Sequence, residues 1–123
     1  MKDIPQRRYL SVIDGVVAGE GEGPLFPTPK QCGILLMGEH PVAVDLVSAR
    51  LMGFDWRKIP MLREALNRAW PLRLAGAEAT VPLHSNHKEW QEQSEGTGAC
   101  FAFEPSAGWK GHIEIDPPAA PRS

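Results

Sequence analysis

The chain has 123 residues, 42% of them hydrophobic and 23% charged, the balance of one globular domain rather than a disordered chain. Twelve glycines and twelve prolines argue against an all-helical bundle and for short elements joined by shaped loops. Thirteen basic and fifteen acidic side chains give a net charge of -2, so no basic excess is available for a phosphate backbone and nucleic acid is not an expected partner.

Tyr9 to Ala18, YLSVIDGVVA, is rich in Val and Ile and broken by Asp14-Gly15. It predicts a strand with a bulge at the glycine. Gly19 to Lys30, GEGEGPLFPTPK, holds too many glycines and prolines for a helix and is expected to be a loop. Cys32 to Met37, CGILLM, is a continuous apolar run between turn signals, the pattern of a strand buried on both faces.

Glu39-His40-Pro41 opens a helix, because proline suits the first helical position, and Gly53 closes it. Val42, Leu46 and Ala49 form one apolar stripe and Val44, Val47 and Leu51 a second, so most of this helix should be buried. A second, amphipathic helix is expected from Pro60 to before Pro71, with Met61, Leu62, Ala65, Leu66 and Ala69 on one face. Glu78 to Leu83 reads as a strand, at an edge because of Pro82. Gly96 to Gly98 reads as a turn, and His112 to Ile115 as a final short strand. The expected whole is one α/β domain over residues 1–116, a small layered sheet with two main helices, followed by a flexible tail at 117–123.

The start, MKDIPQRRYL, is not followed by an apolar stretch, and the apolar run at Cys32 to Gly38 is far shorter than the roughly 20 residues of a membrane span. The expectation is a cytoplasmic protein that makes no use of a membrane. Cys32 and Cys100 stand far apart, so neither a disulfide nor an iron-sulfur cluster held by this chain alone is expected.

The glycine loop begins like GxGxxG, but Pro24 takes a later position and no helix follows to receive a pyrophosphate. The acids offer another chemistry. Asp14, Glu20 and Glu22 lie in or beside a loop whose glycines permit close backbone approach, and hard divalent cations take carboxylate and carbonyl oxygens, though weakly from a flexible loop. The competing reading is a solvated acidic turn with Asp14 bonded to nearby amides, and it is preferred for Glu22. Asp45 lies one turn into the apolar helix, where a buried carboxylate would need a partner, a ligand or water. His84 and His87 form an HxxH without a third ligand and read as surface histidines, with His40 and His112 elsewhere. Trp56, Trp70, Trp90 and Trp109 are dispersed and read as packing anchors.

The runs SVIDGVVAGEGEGPL (Ser11 to Leu25) and CGILLMGEHPVAVDLVSARLMGF (Cys32 to Phe54), with FEPSAGWKGHIEI (Phe103 to Ile115), together resemble the domain-of-unknown-function 362 family. His40 departs from the pattern, standing where an aspartate commonly precedes PVAVD. The resemblance implies the C-terminal portion of a larger, ligand- or metal-dependent α/β domain, of which some members carry iron-sulfur clusters. Carried over residue by residue, it nominates Asp14, Gly15, Glu20, Gly21, Gly23, Pro24 and Asp45 as ligand-binding candidates, in a site expected to need a missing half or partner. The sequence leaves the cofactor unknown and catalysis open; the alternative is a non-catalytic homo-oligomeric or protein-interaction module. The two stripes of the first helix need more cover than one further helix provides, so a homodimer through Val44, Val47 and Leu51, or a separately encoded partner, is expected.

Overall fold

A computed structural model describes residues 7–67, 81–91 and 101–116. Strands β1 (Ser11–Glu22) and β2 (Phe26–Gly38) form a two-stranded antiparallel hairpin, followed by α1 (Pro41–Met52), a 3-10 turn at Trp56–Lys58, α2 (Pro60–Asn67) and one helical turn, α3 (Lys88–Gln91). This is a small α/β fold with two main helices. No helix among the described residues is long and apolar enough to cross a membrane.

The hairpin corrects the expectation of a loop at Gly19 to Lys30. The strands continue through that stretch, paired from Ser11 with Gly38 to Glu22 with Phe26, and only Gly23, Pro24 and Leu25 make the turn. Proline is tolerated here because each strand of a two-stranded sheet has one unpaired edge, where a missing N–H breaks no ladder bond. Pairing shifts between Gly15 and Val17, so a bulge lies beside Gly15, but on the partner strand rather than on the strand expected to carry it. The extra residue lies on β2, where Gly33 sits at φ 67°, a conformation that favours glycine. Along β1 the half-buried positions are Ser11 and Ile13 before this point and Ala18, Glu20 and Gly21 after it.

Residues Cys32 to Met37 are in a strand, but not one buried on both faces. Cys32, Ile34 and Leu36 are half-buried, whereas Leu35 and Met37 are exposed. The hairpin has α1 beneath it and no described layer above it, so only one face is covered.

α1 has the expected limits. The His40 imidazole Nδ1 accepts the Ala43 N–H at 3.3 Å, the role of an N-cap. Gly53, at φ 87°, ends the helix: its N–H reaches the Arg50 carbonyl at 2.9 Å, and the Phe54 N–H reaches that of Ala49 at 2.8 Å, the paired bonds of a Schellman ending.

Both apolar stripes of α1 are covered by this chain itself. Val42, Leu46, Val47, Ala49 and Leu51 share a core with Phe54, Leu62, Val81 and Ile113, and Ile34, Leu36 and Phe103 pack against it. Val44 lies against Gly38. The Val44–Val47–Leu51 stripe is thus interior, and the dimer surface expected there is corrected. The reason is that the hairpin, α2 and the C-terminal segment each take one side of the helix. Asp45 is corrected as well: it is exposed, on the narrow strip of α1 that these neighbours leave open.

The C-terminal segment is held by backbone bonds rather than as a strand. Phe101 and Phe103 donate to the carbonyls of Leu51 and Met52 at 2.7 and 2.8 Å, and Ile115 donates to Gly53 at 3.0 Å. The strand expected at His112 to Ile115 is a single bridge, Phe54 with Glu114. Val81 to Leu83 is not in a strand, because no described neighbour pairs with it. The start of that expected strand, the end of the second helix past Asn67, Trp70, the Gly96–Gly98 turn, Cys100 and the tail lie outside the described residues.

Val47→Glu should unfold the monomer rather than merely dissociate an assembly, at a cost of more than about 3 kcal/mol for an unpaired interior carboxylate. Urea denaturation followed by circular dichroism reads this; a folded Val47→Glu monomer of wild-type midpoint would contradict the packing. Gly53→Ala should cost about 1 kcal/mol through the left-handed conformation required at the helix end, read by the same denaturation.

Candidate functional site

The phase change at the bulge matters because it leaves Glu20 half-buried beside the C-terminal segment. The Glu20 Oε2 accepts from Lys30 Nζ at 2.8 Å and from the Glu104 N–H at 2.8 Å. The neighbouring Gly21 N–H donates to the Glu104 carbonyl at 2.8 Å, so two successive residues of β1 grip both backbone groups of Glu104. Glu22 adds a third tie, its Oε1 accepting from the Ala107 N–H at 2.7 Å. Lys30 also reaches the Ala102 carbonyl at 3.3 Å and lies 5.3 Å from the centre of the Phe103 ring, a cation–π distance.

These ties close an open cleft of about 200 Å³ between the hairpin end and the C-terminal segment. Gly19, Glu20, Gly21 and Gly23 form one wall, Glu104, Ser106 and Trp109 face them, and Phe54 and Phe103 contribute apolar surface. The Glu114 carboxylate shapes the turn after Trp109 by accepting from Gly111 at 2.8 Å and Ile113 at 3.1 Å. Lys110 Nζ pairs with Glu104 Oε1 at 2.8 Å.

The structure brings together only part of the predicted set. Glu20, Gly21 and Gly23 line the cleft. Asp14 lies six residues up β1, about 20 Å away along an extended strand, and its Oδ1 accepts from the Val16 N–H at 3.1 Å. That bond supplies a partner to a residue the shifted ladder leaves without a paired position. Gly15 is buried where a Cβ would lie 2.8 Å from Ile34 Cγ1, a packing requirement. Asp45 lines neither this cleft nor the one described next. Pro24 makes the hairpin turn.

A second cleft of about 250 Å³ lies between β2 and α3. Cys32, His84 and His87 line it over an apolar floor that includes Leu36 and Leu51, and Trp90 stacks on Phe101 at 5.2 Å between ring centres. The HxxH thus faces a cleft, which its spacing did not indicate. Among the described residues no group of three or more His, Cys, Asp or Glu is placed to hold a metal.

Sequence reasoning missed Lys30, Glu104, Ser106 and Trp109, and it set Glu22 aside as solvated. Local spacing carries no signal for contacts that join residues more than eighty positions apart. The one available hint was the repeated Glu-Gly alternation, which puts successive carboxylates on the same side of an extended chain.

Residues 4–50 match the family described as "Domain of unknown function (DUF362)". Over this stretch the chain is similar to the DUF362 family. The match covers the hairpin and most of α1, and therefore Asp14, Glu20, Gly21, Gly23 and Asp45; Phe103 to Ile115 lies beyond it. The chain is also 34% identical over 74 residues to a thylakoid-associated protein of Synechocystis, an alignment covering 60% of this chain and 22% of that protein. The chain thus spans about a fifth of the length of that curated relative. No solved structure matches it.

The Lys30 ammonium first, and the Glu104 N–H second, hold the Glu20 carboxyl below its ordinary value of 4.5. A depressed carboxylate contributes stability that is complete above the unfolded-state value and is lost as pH falls through the folded-state value. The thermal midpoint should therefore fall as pH drops below 4.5, and fall less steeply in Glu20→Gln. Identical pH slopes for the two proteins would show that the carboxylate takes no part.

Proposed function

We propose that this chain is the ligand-binding segment of a DUF362-type protein, and that its site is the cleft between Gly19–Gly23 and Glu104–Trp109. The observation that carries this reading is the grip of Glu20 and Gly21, both inside the family segment, on the backbone of Glu104. Residues of the family match thereby position a wall that lies outside it.

The chemistry of the cleft favours a small zwitterionic molecule with an apolar part. Each of its acids already has an ammonium partner, Glu20 with Lys30 and Glu104 with Lys110. A bare divalent cation, expected to bind only weakly, would have to displace both lysines. A zwitterion can instead exchange one charge with each pair while its apolar part rests on the Trp109 and Phe103 rings. The cleft is open, and the much longer relative supports a full site completed by a further polypeptide. The proposal includes a reducing, cytoplasmic setting, consistent with Cys32 as a free thiol.

The test is a titration of the ¹⁵N-labelled chain with free amino acids at millimolar concentration, followed by amide chemical shifts. Perturbations are expected at Gly19 to Gly23 and Ser106 to Trp109, and should be abolished by Trp109→Ala in a chain that keeps its fold. No perturbation at about 10 mM, a concentration corresponding to an affinity weaker than roughly 3 kcal/mol, would overturn the reading. So would perturbations confined to the Cys32–His84–His87 cleft.

A further inference from the structure

We infer that the cleft between β2 and α3 is a second small-molecule site, and that it takes a flat aromatic carboxylate whose anionic end is held by His84 and Asn86. This cleft shares no lining residue with the one between Gly19–Gly23 and Glu104–Trp109, so either assignment can fail without the other.

The lining divides by chemistry. Ile34, Leu36, Leu51 and Leu83 supply aliphatic surface from β2, α1 and the stretch before α3, whereas His84, Ser85, Asn86 and His87 form one continuous polar run. That run is folded by its own bonds: the Ser85 Oγ accepts the His87 N–H at 3.1 Å, and the His87 carbonyl accepts the Trp90 N–H at 3.1 Å. A largely apolar cleft with a few converging polar groups is the usual composition of a small-molecule site. The Trp90 and Phe101 rings both line it, stacked with their centres 5.2 Å apart and their planes 22° from parallel. A further flat ring can extend such a stack. The wall is also open at Gly33, where a Cβ would meet nothing within 4 Å.

Size and charge narrow the ligand. A cavity of about 150 Å³ holds benzene, so the cleft's volume of about 250 Å³ suits two fused rings with a small substituent. No Asp, Glu, Lys or Arg lines it. An ammonium group would therefore find no carboxylate to pair with, in contrast to the cleft that holds Glu20 and Glu104. A carboxylate finds donors: an imidazole offers an N–H in either tautomer, and the Asn86 amide offers two. Both His84 and Asn86 are exposed, so a charged group bonded to them keeps part of its hydration while the rings enter the apolar part. Hydrogen bonds to an ionised acceptor are stronger than those to a neutral one, which sets the preference for the anion over an uncharged molecule of the same shape.

The experiment is a titration of the full ¹⁵N-labelled chain with indole carboxylate and, separately, with indole carboxamide, its uncharged analogue, followed by amide chemical shifts. The carboxylate should give saturable perturbations at Cys32 to Leu36 and His84 to Trp90, with a dissociation constant of about 1 mM or tighter. The carboxamide should bind at least about 10-fold more weakly. The double variant His84→Ala/Asn86→Ala, altered only at exposed positions, should bring the carboxylate down to the affinity of the carboxamide, a loss of anion preference that a merely structural role would not produce. Equal affinities of the wild type for the two probes would overturn the inference, as would an anion preference that survives the double variant. So would a carboxylate titration that does not saturate by about 10 mM, or one whose perturbations centre on Gly19–Gly23 and Ser106–Trp109.

Discussion

Helix α1 is apolar around most of its circumference, and a helix of that kind cannot rest on a single neighbour. The hairpin takes one side, α2 another, and the Phe101–Ile115 segment a third, leaving a strip only wide enough for residues such as Asp45. This requirement explains why the Phe101–Ile115 segment, which has almost no regular secondary structure of its own, is held in place. Phe101, Phe103 and Ile113 bring apolar side chains to the core around the helix, and the N–H groups of Phe101, Phe103 and Ile115 are satisfied on the carbonyls where α1 ends.

Once that segment lies beside the hairpin, charged side chains set its position along β1. Glu20, half-buried and bonded to both an ammonium and a backbone N–H, costs little to desolvate because both partners are in place. Glu22 bonds a second amide three residues further on. The acids that suggested a cation site in the sequence thus serve first as fasteners of a wall. Any ligand that enters meets a balanced arrangement of carboxylates and ammonium groups rather than a concentration of negative charge.

The family match gives this arrangement a context. It covers the hairpin and most of α1, the unit that presents Glu20 and Glu22, whereas the wall they hold comes from outside the match. A family segment of this kind exposes two kinds of surface: a cleft completed by whatever follows it in the chain, and an outer sheet face with no described layer above it.

The sequence by itself determined the local features. Pro41 and Gly53 mark the ends of α1, and Asp14 bonds a nearby amide, because each depends on backbone geometry within a few residues. The two apolar stripes also established that α1 had to be surrounded. Only the tertiary structure decided what surrounds it. The stripe assigned to a partner is filled by the same chain, and the strand CGILLM has one wet face. The glycine-rich stretch forms the arms of a hairpin because strand pairing can override a composition that reads as loop. Glu20 and Glu104 meet across more than eighty residues, and hydrophobic burial around α1 brings them together, a long-range consequence that no local pattern encodes.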